Sequence, residues 1–129
     1  MTVKPGVAWL MVAEAVSLAV MSTLHLTGRL HGGSGPYQSS AAGIAEAIIA
    51  VVLFGAALVA LFAPERARPV AIAATGFAIV GFIIGISITI SGGSAVDIAY
   101  HATVLPILLV TLGLVLRSGA GSARMAVRE

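Results

Sequence analysis

SAAGIAEAIIAVVLFGAALVALF, residues Ser40–Phe62, carries a single charged side chain, Glu46. A helix needs about 20 apolar residues to cross a hydrocarbon core about 30 Å thick, so this stretch reads as a membrane span. Three more runs of the same kind occupy most of the remaining chain: Val7–Thr27, Val70–Ser91 and Ala95–Leu116. The mean hydropathy of +1.09 and a charged fraction of 9% agree, since a soluble domain carries about 25% charged residues. Barrel strands would be about 10 residues long with strict alternation. These runs are longer and apolar on every side, and a helix pairs all its backbone groups internally, as lipid demands. The expectation is an all-α integral membrane four-helix bundle with short loops, one transmembrane domain over residues 1–129.

The composition excludes several classes. There is no cysteine, which removes disulfides, thiolate metal sites and thiol catalysis. The formal charge is +2, with the basic residues at span ends, so nucleic acid is not an expected partner. The first run is longer than the 7–15-residue apolar core of a signal peptide and is expected to remain as a span. Little chain is left between the spans for a soluble catalytic module, which favours a non-catalytic role.

Basic residues set the orientation. Lys4 precedes the first span, Arg66 and Arg68 lie between the second and third, and Arg117, Arg124 and Arg128 follow the fourth. The other two loops hold only Arg29. The positive-inside rule then places both termini and the Arg66 loop in the cytoplasm, with residues 28–39 and 92–94 outside, in a multi-pass cell-membrane protein. Pro64 is expected to end the second span, and Pro69 to sit in the first turn of the third. Gly32, Gly33, Gly35 and Pro36 predict a turn-rich outer loop. Ser94 with Asp97 resembles a capping box in which Asp replaces Glu. The tail over 118–129 is expected to be mobile. Ser40–Ala45 and Ser94–Ala99 each follow a Gly-Gly-Ser stretch, a faint echo consistent with two hairpins related about the membrane normal.

Ionisable groups within spans are costly and mark candidate sites. Here they are Glu14, His25, Glu46, Asp97 and His101. At a rise of about 1.5 Å per residue, His25, Glu46, Asp97 and His101 all fall in the outer leaflet, where His31 and Tyr37 of the outer loop can fold over them. Asp97 and His101 are four apart and share a helix face, so the carboxylate can orient the imidazole. A His/His/Glu set with a neighbouring Asp suits a divalent metal. Alternatively, His25 and His101 can ligate one haem axially. The plainer reading is helix–helix hydrogen bonding by the histidines, with Asp97 as a cap. Glu14 lies about 16 Å further in than His25, without a basic residue at its depth. Such a carboxyl favours its protonated form, as a proton-coupling residue would.

Val12-Ala13-Glu14-Ala15-Val16, ahead of Met21, resembles the first span of the small multidrug resistance transporters over about ten residues. That resemblance implies a four-span, proton-coupled exporter working as a dimer through Glu14. The aromatic substrate-site residues that the family carries in spans two and three have no counterparts here, and its span-four dimerisation pattern is absent. Gly81-Phe82-Ile83-Ile84-Gly85, preceded by Gly76, is a G-x-x-x-G motif that lets helices approach closely, within the bundle or in a homodimer. Pro106 removes the helical bond to the carbonyl of Ala102, so a kink is expected next to His101.

Three functional readings follow. The leading one is a non-catalytic or accessory membrane protein whose outward-facing pocket, lined by His25, Glu46, Asp97 and His101, binds a metal, haem or small polar ligand. The second is the exporter working through Glu14. The third is a structural subunit of a larger membrane complex.

Overall fold

The computed structural model describes residues 2–31 and 37–118. The turn-rich segment around Gly32–Pro36 and the tail beyond Ser118 lie outside the described residues. Four helices follow in order: α1 (Pro5–Leu26), α2 (Ser39–Phe62), α3 (Pro64–Thr89) and α4 (Ala95–Arg117). Each is long and apolar enough to cross a membrane. The described residues are thus all-helical, with the composition of a multi-pass membrane protein.

The helices form a ring in which each packs on its sequence neighbours and α4 returns to α1. The α1–α2 contact is the most extensive and the α4–α1 contact the least. Small residues fill the interior: Ala8, Ala15, Ala57, Ala67, Ala71 and Ala78 are buried around Met11, Leu18, Leu53, Phe82 and Leu108. Without a hydrophobic force between helices in lipid, van der Waals packing at short range is what holds them, and small side chains permit it. Large apolar groups such as Val51, Phe54, Val80, Ile84 and Leu109 point outward. On a soluble protein this would be an anomalous apolar surface; in a bilayer it is the surface that lipid wets.

Helix ends fix the polar groups in place. Gly28, at φ 68°, closes α1 in a Schellman motif: its N–H donates to the His25 carbonyl (3.1 Å), and the Arg29 N–H donates to the Leu24 carbonyl (2.9 Å). The left-handed conformation suits glycine at this position, and it stops α1 within a turn of His25. At α4, the Asp97 N–H donates to the Ser94 side chain at 3.2 Å. Only half of the anticipated capping box forms, because the Asp97 carboxylate turns to other partners.

The third helix starts at Pro64, not at Val70. Ala63 alone, at φ −135° and ψ 66°, makes the turn from α2. Pro64 loses no helical bond at the first position, so the helix begins there and Pro69 lies inside it. The N–H that Pro69 lacks would have met the carbonyl of Glu65, an exposed residue whose carbonyl can find other donors. The helix α4 likewise runs unbroken through Pro106.

Candidate metal centre

Three helices and one connecting residue deliver the polar groups at the His25 end of the ring. Glu14, Met21 and His25 lie on the buried stripe of α1. The α2 backbone comes very close to α1 at Gly43, where a Cβ would meet Leu26 Cγ at 2.8 Å and His25 Cβ at 3.0 Å. Ser22 Oγ uses that approach to donate to the Gly43 carbonyl at 2.6 Å. One turn on from Gly43, Glu46 faces the same interior. Asp97 and His101 share the buried face of α4, and Tyr37 reaches in from just before α2.

The groups converge. His25 Nδ1 lies 2.7 Å from Glu46 Oε2, and His25 Nε2 lies 2.8 Å from the Tyr37 hydroxyl. That hydroxyl donates to Asp97 Oδ2 at 2.8 Å, and His25 Nε2 is itself 3.4 Å from the same oxygen. His101 Nδ1 is 3.0 Å from the Asp97 carbonyl and 3.1 Å from Oδ1. The carbonyl takes the hydrogen bond, and Oδ1 is left without a partner, as is Glu46 Oε1. His25, Glu46 and Asp97 are 1%, 4% and 0% exposed, so these orphaned oxygens cannot turn to bulk solvent.

Hydrogen-bond directions constrain where the protons sit. The single proton of Tyr37 goes to Asp97, so His25 Nε2 must donate to the Tyr37 oxygen. One further proton is then shared between His25 Nδ1 and Glu46. A carbonyl only accepts, so His101 Nδ1 carries hydrogen. Burying carboxyl oxygens without partners is costly unless something compensates them. One ligand atom from each of His25, Glu46 and Asp97 falls within 4.8 Å of the others, so this group can hold a metal ion.

The remaining candidates sit elsewhere. His31 is exposed and lies beside Gly28, outside the cluster. Glu14 faces the interior, well separated along α1, and accepts from Thr111 Oγ1 at 2.6 Å. Its other oxygen, Oε2, has no partner. Ser17 bonds to the Glu14 backbone carbonyl at 2.8 Å and to the Tyr100 hydroxyl at 2.9 Å, not to the Glu14 carboxyl. Gly81 and Gly85 meet the chain's own helices: a Cβ on the first would contact Ile49 of α2 and on the second His101 of α4. A haem held between His25 and His101 has no space, because the Asp97 carboxylate stands between the two imidazoles.

Sequence reading placed Tyr37 over the cluster without giving it a role; its hydroxyl is the bridge between His25 and Asp97. Thr111 went unnoticed, although it lies fourteen residues after Asp97, about four turns along the same helix. Comparison with protein-family models, with curated proteins and with solved structures gives no match for this chain.

Proposed function

We propose that this chain is a non-catalytic or accessory membrane protein that holds a divalent transition-metal ion between α1, α2 and α4. With both termini cytoplasmic, the site faces outward. The observation that carries this reading is the buried trio His25, Glu46 and Asp97, whose ligand atoms come within 4.8 Å of one another while two carboxylate oxygens of the cluster lack partners. Zinc bonds to His nitrogen and carboxylate oxygen at about 2.0–2.2 Å, so the trio closes in slightly on binding. The ion binds the unpartnered carboxyl oxygens and takes the place of the proton shared by His25 and Glu46, which is released.

The exporter reading has weaker support. Glu14 is sealed in the interior and paired with Thr111. Homodimerisation through Gly81 and Gly85 is also weaker, since both glycines already accommodate side chains of this chain.

The test is a zinc titration of the purified, chelator-stripped protein, read by elemental analysis after desalting. One equivalent per chain is expected. His25→Ala or Asp97→Asn should weaken binding by more than the roughly 10–100-fold typical of an outer-shell partner. Retention of zinc at the same level by wild type and both variants would sink the proposal.

A further inference from the structure

The one-residue turn at Ala63 holds α2 and α3 together at one end. Toward the His25 end a cleft of about 440 Å³ lies between them. Its lining runs from Gln38 to Ile49 on α2 and from Phe77 to Thr89 on α3. At a rise of about 1.5 Å per residue, it is about 17 Å long. Half of a hydrocarbon core about 30 Å thick is about 15 Å, so the cleft has the depth of one leaflet. Near its inner end Ile49 leans on bare backbone, with Cδ1 at 2.7 Å from where a Cβ on Gly81 would stand. Tyr37 and Gln38 stand at the other end. Ala41, Ala45, Ile84 and Ile88 are exposed lining residues, so the cleft opens sideways onto the face that lipid wets.

The dimensions select the occupant. Spread over about 17 Å, 440 Å³ gives a mean section of about 26 Å², a channel about 5 Å on a side. Hydrocarbon carbons in contact lie about 3.5–4.0 Å apart, so one straight alkyl chain fills a channel of this width. A helix is about 10–12 Å across with its side chains and cannot sink into it, which sets aside a second copy of this chain. Fused-ring lipids and methyl-branched chains are broader than a straight chain. Between helices in lipid the available attraction is van der Waals contact. A chain in the cleft touches protein on several sides, whereas a chain against a convex helix touches it on one.

We propose that the α2–α3 cleft holds one straight acyl chain of a bilayer phospholipid. The lipid belongs to the leaflet at the His25 end, and its head group lies at the level of Tyr37 and Gln38. Glu46 and His101 line the same cleft, so the chain lies between the polar cluster and the surrounding lipid and closes that side. This site depends on the helices spanning a bilayer and not on a bound metal.

The probe is phosphatidylcholine with a diazirine at the end of one straight acyl chain, present as a tracer in nanodiscs that hold the full chain. After irradiation, adducts are mapped by mass spectrometry. They should concentrate at Ile49 and Phe77, at the inner end of the cleft, over Val80, which is 56% exposed on α3 and outside the cleft. Ala45→Phe should lower the Ile49 and Phe77 adducts by about tenfold, the scale set by overpacking. Ala45 is exposed, so the added ring fills the cleft without entering the core. Val51→Phe, at a 72% exposed position of α2 outside the cleft, should leave the pattern unchanged. In a host of diphytanoyl phosphatidylcholine, whose chains carry methyl branches, the straight-chain tracer should gain at Ile49 and Phe77 and not at Val80. Adducts spread evenly over the outward faces, an unchanged pattern in Ale45→Phe, or no gain in the branched host overturns the proposal. Failure of the zinc titration alone does not bear on it.

Discussion

A methyl group on Gly85 would come within 2.8 Å of His101 Nε2, so it is the bare backbone of α3 that admits the α4 imidazole. Gly85→Ala should therefore displace His101 and destabilise the bundle by about 1–3 kcal/mol, the usual range for overpacking. Gly76 offers the contrast, because a Cβ there meets nothing within 4 Å. Gly76→Ala should be neutral or stabilising by up to about 1 kcal/mol through helix propensity. Unfolding in mixed micelles measures both, and equal effects would show that the His101 contact does not constrain the helix pair.

The Glu14–Thr111 bond joins α1 and α4, the neighbours in the ring that touch least. Thr111→Val leaves both carboxyl oxygens of Glu14 unpartnered and should cost about 1 kcal/mol, in the range measured for polar contacts in membranes. Adding Glu14→Leu to it should recover part of that loss, since two apolar partners leave nothing unsatisfied. A double variant less stable than Thr111→Val would contradict this account. Under the exporter reading, Glu14→Gln would instead abolish substrate-coupled proton release while keeping the fold.

Burial, followed by the hydrogen bond to Asp97 and the negative charges of Asp97 and Glu46, pushes the Tyr37 hydroxyl above its ordinary value, which is about 10. The folded state thus holds this proton more tightly than the unfolded chain does. The stability it contributes is intact below about pH 10 and is lost as the pH rises through the folded value. The chain has two tyrosines, so ultraviolet titration of Tyr100→Phe reports on Tyr37 alone. Ionisation should be late in the folded protein and earlier after Asp97→Asn. A folded-state titration at the ordinary value would remove Tyr37 from the buried network.

The proposed orientation is open to direct labelling, because the chain has no native cysteine. His31→Cys and Glu65→Cys place single thiols at exposed positions at opposite ends of the bundle. An impermeant maleimide applied to intact cells should modify the first and spare the second. The reverse pattern inverts the topology and turns the His25 end toward the cytoplasm.

The four helices were legible because length and hydropathy in lipid leave few alternatives. The start of α3 was misjudged because two prolines compete for one helix start, and the local pattern does not say that Ala63 alone completes the turn. Within the candidate centre, the common level of His25, Glu46, Asp97 and His101 followed from residue rise, and the facing of Asp97 and His101 from their spacing. What was not legible was rotational: which way each helix turns about its axis decides that Tyr37 bridges His25 and Asp97, that His31 stays apart, and that Gly85 receives an imidazole. Nearly uniform hydrophobicity around each helix hides that angle.

The seam between α1 and α4 bears on how the ring closes. Three polar pairs run along it: His25 with Asp97, Ser17 with Tyr100, and Glu14 with Thr111. Short connections bring α2 to α3 and α3 to α4, whereas α1 and α4 must find each other across the whole chain. Alanine-rich surfaces look much alike after a slip of one turn, about 5.4 Å, and van der Waals contact alone would scarcely distinguish the slipped from the native alignment. The same slip parts all three polar pairs at once. The seam therefore works as a key cut at three depths, admitting the last helix in one alignment and refusing its near neighbours.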